Sequence, residues 1–383
     1  MLDRLCLTDH AARSTIIYPA YYIFLFPAKW RIYQREATIN QGMGVDLGDL
    51  LTRKKIEIKD LSGKWVAVDA FNTLYQFLSI IRQKDGTPLM DSQGRVTSHL
   101  SGLLYRTTNL IEAGVKVAFV FDGDPPDFKA ETLKERAEVR DRAADAWEEA
   151  RAAGEDGFKY AQAASRINAE ILQDGRRLIE AMGLPVIQAP SEGEAQAAHM
   201  AEKGDVDFAA SQDYDSLLFG APKVVRNLAI TGKRKLPRKN IYVDVEPEVI
   251  DLVEGLANLG ITRKQLVEIG IMCGTDYNSG LTRVGPKTAL KLIREKGALE
   301  AVLAEQEEKE PAETIENYAS IREFFLHPIV TDDYSIKMKR PRVDEIVSFL
   351  VEERDFDSER VEKTANRLAE VYRRGQSTLD RWF

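Results

Sequence analysis

Seven acidic side chains sit just beyond short apolar runs, in groupings suited to holding hard cations: Asp69 in VAVDA, Asp122 in VFDGDPP, Glu192 and Glu194 in SEGEAQ, Asp213 and Asp215 in SQDYDSLLFG, and Asp276 in CGTDYN. An all-oxygen donor set of this kind suits Mg²⁺, the usual companion of phosphate. Asp69, Asp122 and Asp213 follow strand candidates, and a carboxylate at the carboxyl end of a strand points into the crevice where open α/β sheets bind ligands. Glu192 and Glu194 open the helical stretch EGEAQAAHMAEKG, while Asp213 and Asp215 are one residue apart at a strand-to-helix turn. So many anions raise one another's pKa unless cations balance them. Two divalent ions provide that balance and serve displacement at phosphorus. The pattern predicts a metal-dependent phosphodiesterase. Singly, each acid has an ordinary explanation as a turn former or as a partner of a helix N-terminus; recurrence at five turns beside Gly, Ser or Pro favours the functional reading.

The elements that must place these acids alternate. KWVAVDA (64–70) reads as a strand and FNTLYQFLSIIRQ as a helix; TSHLSGLLYRTTNLIEAG is a helix followed by the strand VKVAFVFDG. This order predicts a mostly parallel α/β sheet. Residues 127–182 read as a long, charged, Ala-rich helical insertion, interrupted at Gly154 to Gly157, before the strand PVIQA. Lying between two acid-bearing strands, it sits beside the crevice as a lid or gateway, or is a solvated helical hairpin. KVVRNLAITGKRKLPRKNIYVDV reads as a β-hairpin turning at Thr231-Gly232. ITRKQLVEIGIMCGTDYNSGLTRVGPKTALKLIREKG places two helices around a glycine-containing turn, with Pro286 at a helix start. Backbone amides at such a turn hold phosphate without reading sequence.

A chain of 383 residues forms one large or two ordinary domains. Two cysteines, Cys6 and Cys273, with no CxxC spacing, exclude a disulfide framework and point to a reducing, cytoplasmic setting. A net charge of -8 at first argues against nucleic acid. Local charge decides phosphate binding, however, and basic residues concentrate in KVVRNLAITGKRKLPRKN, residues 223–240. Residues 1–42, with the aromatic run IIYPAYYIFLFPAKW, differ from the rest. That run is short of the roughly 20 apolar residues that a spanning helix needs, so no membrane partner is expected.

VAVDAFNTLYQFL, TSHLSGLLYRT, FVFDGDPPDFK, PSEGEAQAA, SQDYDSLLFG and CGTDYN together resemble, in order, the signatures of archaeal and eukaryotic flap endonucleases, within the structure-specific 5′ nuclease superfamily. The resemblance runs from Met43 to Phe383. It implies a PIN-like α/β nuclease core, a mostly parallel central sheet flanked by helices, with a helical arch insertion and a helix–two-turn–helix element. It further implies cleavage of DNA with 5′ flaps, 5′–3′ exonuclease activity, and roles in lagging-strand maturation and base excision repair.

Carried over by motif, Asp69, Asp122, Glu192 and Glu194 resemble the ligands of one magnesium ion, and Asp213, Asp215 and Asp276 those of a second. Lys129 and Arg136 occupy the places of a basic pair aimed at the scissile phosphate; seven residues is about two helical turns, so both can face one side. Tyr75 resembles the aromatic that stacks on the terminal unpaired base. Arg82, Arg106, Glu192, Gly274 and Asp276 match DNA-contact positions, and GLTRVGPKTALKLI resembles the element that grips the duplex with the help of a potassium ion. The basic residues of the arch, Lys134, Arg136, Arg140 and Arg142, alternate with acids, so flap affinity is expected to respond to salt.

Gln376, Leu379, Trp382 and Phe383 stand at the spacing of the box with which the family binds the replication sliding clamp, Trp382 replacing the more usual Phe. A turn of tight helix puts Leu379, Trp382 and Phe383 on one side. The chain is thus expected to be a monomer, associated with the nucleoid, organised as an extension (1–42), nuclease core (43–140 and 158–300), arch linker (141–157), C-terminal helical region (301–375) and clamp-binding tail (376–383). Met43-Gly44-Val45 fits the family's opening, so residues 1–42 are expected to be a start-site extension, with an anchor as the alternative. The expected reaction is two-metal hydrolysis leaving 5′-phosphate and 3′-hydroxyl. Its rivals are a four-way-junction resolvase, a simple 5′ exonuclease and a non-catalytic junction binder.

Overall fold

The computed structural model describes residues 45, 47–83, 85–152, 165, 167–230, 232–235, 242–309, 315 and 317–379. The chain divides into two units, Met1–Gln41 and Gly42–Phe383; every described residue belongs to the second, and residues 1–42 lie outside the description.

Strands β1 (Lys54–Lys55) and β2 (Trp65–Asp69) lead into helices α1 (Ala70–Ile80) and α2 (Ser98–Glu112), then β3 (Lys116–Phe121). A 3₁₀ turn, Asp127–Lys129, opens the long helix α3 (Ala130–Ala152); α4 (Ala169–Ala181), β4 (Val186–Gln188), α5 (Gly193–Glu202), β5 (Phe208–Ala210) and the single turn α6 (Asp215–Leu218) follow. Next come β6 (Lys223–Arg226), β7 (Gly232–Lys235), β8 (Tyr242–Val245), β9 (Glu248–Asp251) and α7 (Leu252–Leu259). The C-terminal part is helical: α8 (Arg263–Cys273), α9 (Pro286–Lys296), α10 (Leu299–Lys309), α11 (Tyr318–Leu326), α12 (Val343–Val347) running into a π-helical turn (Ser348–Glu352), and α13 (Ser358–Leu379).

The main sheet has the order β1-β9-β6-β5-β2-β3-β4. Pairings among β4, β3, β2, β5 and β6 are parallel, and only the β6–β9 and β9–β1 edge is antiparallel. The expected mostly parallel α/β sheet is therefore present. Val66 and Val68 of β2 and Val117 and Phe119 of β3 face one hydrophobic cluster with α1, α2, α4 and α13. Ala67, Ala118 and Val120 face the opposite cluster, with α5, α8 and α9. The period of two along each strand thus fills two layers, as a sheet covered on both faces requires. After β2 the chain moves to β3 and β4 on one side, then returns to β5 on the other. The switch point of the sheet lies between β2 and β5, where open α/β sheets form their ligand crevice.

One expectation changes. The hairpin is β7–β8, with Gly232 opposite Val245 and Lys235 opposite Tyr242. Gly232 is thus at the open end, and the connection spans 236–241, outside the described residues. The run 223–226 instead pairs with β5 and β9, because Val224 and Val225 are fully buried in the main sheet. Where it is described, the insertion is helical as expected, in α3 (Ala130–Ala152) and α4 (Ala169–Ala181); residues 153–164, with the Gly154 to Gly157 interruption, lie outside the description.

Candidate active site

Each acid is placed by a local device. Asp69 ends β2 and caps α1, its carboxylate accepting from the Asn72 backbone N–H at 3.0 Å. Asx capping of this kind satisfies one of the orphan donors of a helix start. The Asn72 side chain then reaches across 141 residues of sequence and donates Nδ2–H to Asp213 at 2.7 Å. Asn72 therefore locks the two strand ends at the switch point together. Sequence reading missed it, although a polar residue among the buried side chains of α1 was a signal.

Asp122 directly follows β3 and accepts from the Gly193 N–H at 2.6 Å, at the start of α5. A Cβ at Gly193 would lie 2.8 Å from that carboxylate oxygen, so only glycine lets the acid approach the helix. Glu192 is the N-cap residue of α5 and Glu194 lies in its first turn. The turn after β5 is closed by the Ser211 hydroxyl, which accepts from the Asp213 N–H at 3.1 Å. Asp215 begins α6 and accepts from the Val45 N–H at 3.2 Å. Asp276 arrives from a different layer, past the end of α8, where Gly274 has φ +97° and a side chain would be strained.

Electrostatics bind these acids into one site. Burial, reinforced by Asp122, holds the Asp69 carboxyl well above the usual carboxylate range. Burial does the same for Glu194, with Asp215 next in weight and Asp69 and Asp213 adding to it. The Asp122 carboxyl is raised by burial against the pull of the Gly193 N–H, and Glu192 is raised by burial although Lys129 opposes it. Such mutual elevation arises when carboxylates crowd together in a low dielectric. Asp69 feels Asp122, Asp213 and Glu192, Glu194 feels Asp215, Asp69 and Asp213, and Asp122 feels Asp276, so the seven acids lie within electrostatic reach of one another in overlapping sets.

Lys129 is the cation among them. Its Nζ donates to both oxygens of Glu192, at 2.8 and 2.7 Å, and both side chains are mostly buried. Burial disfavours its charge, yet Glu192, Asp276 and Asp122 outweigh burial and keep the ammonium above the usual lysine value. Lys129 closes the 3₁₀ turn after Pro125-Pro126 and precedes α3. Helix α3 begins at the very next residue and carries Arg136 seven residues on. The Arg136 side chain lies outside the described residues.

The remaining expected residues are more dispersed. Tyr75 is half-buried on α1 and close enough to Arg82 to affect its charge. Arg82 turns inward, donating to the Gly86 carbonyl and the Ser165 hydroxyl, both at 2.7 Å, and burial lowers its pKa to about 10. Arg106 donates to the Ala229 carbonyl at 3.1 Å. Gln376 and Leu379 lie on α13, their side chains outside the description with Trp382 and Phe383. Tyr277 was not anticipated. Its ring is buried beside Asp276, and burial with the field of Glu192 raises its phenol well above the usual tyrosine value.

The donor chemistry fits a hard divalent ion, all oxygen and negatively charged. Among the described residues no three Asp, Glu, His or Cys side chains converge tightly enough to hold one as they stand. Also among the described residues, no helix is long and apolar enough to cross a membrane.

Comparison with known proteins agrees with this architecture. The XPG N-terminal domain family matches residues 43–143 and the XPG I-region family residues 183–276. The chain is 67% identical to flap endonuclease 1 of Methanothrix thermoacetophila over 340 residues, 89% of this chain and 100% of that protein. It is 53% identical to flap endonuclease 1 of Pyrococcus abyssi over 345 residues, 89% of this chain and 98% of that one. Among solved structures, flap endonuclease-1 from Methanococcus jannaschii aligns with a TM-score of 0.68 at 39% identity, covering 86% of this chain and 98% of its own. The catalytic core of Rad2 in complex with DNA shares the fold, with a TM-score of 0.61 at 24% identity, over 82% of this chain and 96% of that core. With the acid cluster placed at the sheet's switch point and identity this high over nearly the whole length, the chain belongs to the flap endonuclease 1 family of XPG-type nucleases.

Proposed function

We propose that this protein is a magnesium-dependent 5′ flap endonuclease with 5′–3′ exonuclease activity. The observation that carries the reading is a set of carboxylates at strand ends and helix starts that raise one another's pKa, with a mostly buried lysine paired to Glu192 and drawn to Asp276 and Asp122. Asp69, Asp122, Glu192 and Glu194 form one group of ligands, and Asp213, Asp215 and Asp276 the other. Bound divalent ions would supply Lewis-acid activation of water and neutralise charge on the phosphate.

The chain's own residues do the rest. Asn72 holds Asp69 and Asp213 in fixed relation. The Gly193 N–H orients Asp122, and Lys129 provides an ammonium that exchanges Glu192 for the scissile phosphate, where a preorganised charge stabilises the transition state. Tyr75 stacks the terminal base, Arg136 joins Lys129 from α3, and Arg82 and Arg106 meet the strands at the junction. The α8–α9 element grips duplex through backbone groups at the turn before Pro286, with a potassium ion there; such contacts read shape, not sequence. The tail box docks on the replication sliding clamp, and the monomer works at the nucleoid in lagging-strand maturation and base excision repair.

The test is cleavage of 5′-flap, nicked and four-way DNA with and without Mg²⁺. Parent protein should cut flaps only with the metal, and Asp215→Asn should lose cleavage by roughly three orders of magnitude while flap binding stays within about threefold. Metal-independent cutting, or near-parental turnover by Asp215→Asn, would overturn the reading. Preferential cutting of four-way junctions would replace it with the resolvase.

A further inference from the structure

The Lys129 ammonium has a second neighbour besides Glu192: it lies 5.7 Å from the centroid of the Tyr277 ring. Tyr277 does not belong to the strand layer that carries most of the acids. It follows Asp276 in the turn between α8 and α9, and the turn is tightly tied. The Tyr277 N–H donates to the Thr275 hydroxyl at 3.0 Å, that hydroxyl donates to Asn278 at 2.8 Å, and Asn278 Nδ2–H reaches the Ile271 carbonyl of α8 at 2.7 Å.

The ring itself is wedged. It meets Phe128 edge to face, with centroids 5.3 Å apart at 86°, and lies 5.4 Å from both Phe324 and Phe325 of α11. Phe128 in turn packs at 5.5 Å on Phe324. Phe128 immediately precedes Lys129 in the 3₁₀ turn, so the same ring that faces the ammonium also fixes the backbone from which it projects. Aromatic pairs of this geometry add to plain burial, and a ring face attracts a cation more strongly once water is excluded.

We propose that Tyr277 is a positioning residue for Lys129, through which the α8–α9 element sets the lysine that opens the arch helix. The inference rests on the nuclease reading above. Glu192 alone would hold the ammonium on an acid. The ring face is an uncharged second support, so Lys129 keeps a partner when Glu192 is engaged elsewhere. Since Tyr277 is anchored in the duplex-gripping element, seating of duplex DNA fixes the ring and, through Phe128, the start of α3. The two parts of the site are thereby coupled by packing rather than by a bond to substrate.

The experiment measures single-turnover cleavage of a 5′-flap substrate and flap affinity for the full chain. Tyr277→Leu should slow the single-turnover rate by about tenfold or more while the dissociation constant moves less than about twofold, and Tyr277→Phe should restore the rate to within about threefold. In a Lys129→Ala background the Leu change should cost less than about twofold, because its partner is already gone. Phe128→Leu, which leaves the tyrosine in place, is the second variant and should show the same split between rate and affinity. Independent, additive losses would overturn the proposal, as would a Tyr277→Phe protein as slow as Tyr277→Leu, or a parental rate in Phe128→Leu. A parent that does not cut flaps overturns the functional reading instead.

Discussion

His99 is fully buried on α2, and neither ring nitrogen finds a hydrogen-bond partner among the described residues. Burial, with the nearby Arg354 charge, pushes its pKa down to about 3 from the ordinary histidine value of 6.5. A histidine depressed in this way stabilises the fold above its unfolded pKa; that stability is lost as pH falls from 6.5 toward 3, where only the unfolded chain takes up the proton. Asp69 and Glu194 act in the opposite sense, since their raised carboxyls favour the folded state at low pH and lose that contribution as pH rises. The parent's acid response mixes both, so a difference measurement is needed. Between pH 7 and pH 4 the stability of the parent relative to His99→Gln should fall by about 2–3 kcal/mol, read by urea unfolding at each pH. A constant difference would show that His99 is not the group titrating.

At the scale of elements, the helix that ends the arch insertion is bolted to the C-terminal region. Arg354, just beyond the π-helical turn, donates Nε–H to Asp174 of α4 at 3.0 Å and Nη2–H to both carboxylate oxygens at 2.9 and 2.8 Å. Both residues are 8% exposed. Burial raises the Asp174 carboxyl even though Arg354 pulls it down, so desolvation is the larger influence on the acid. Breaking such a pair leaves a buried charge with no counterion, whereas removing both charges is far milder. Arg354→Met should therefore cost about 3–5 kcal/mol, and adding Asp174→Leu should recover most of it, measured by the urea midpoint. Equal destabilisation by the single and double variants would mean that packing of the arginine stem, not the charge, holds the two elements together.

For the whole molecule, the catalytic unit and the proposed clamp contact occupy distant parts of the sequence. All the acids precede α9, whereas the box closes the chain after α13 begins at Ser358. Deleting residues 376–383 should leave cleavage of free flap DNA within about twofold of the parent and remove stimulation by the purified clamp. Calorimetric titration of the truncated chain with the clamp checks this directly, and undiminished binding would place the contact elsewhere.

Much of this organisation was legible in one dimension. Asp69, Asp122 and Asp213 could be placed beside the crevice because strand period and the carboxyl-end rule need only neighbouring residues. Pro286 at N1 of α9 was equally local, because a residue without an N–H and with fixed φ suits the first turn of a helix. What tertiary structure alone decided is who stands opposite whom. Asn72 meets Asp213 across 141 residues, and Lys129 meets Glu192 across 63. Tyr277 reaches Phe128 from a separate helical layer. The run at 223–226 joined the main sheet rather than a hairpin because burying Val224 and Val225 between β5 and β9 outweighed the local turn signal at Thr231-Gly232. Spacing along the chain specifies which side chain a turn presents; burial and packing choose its partner, and in this protein the choice of partner is what turns a set of acids and one lysine into a site.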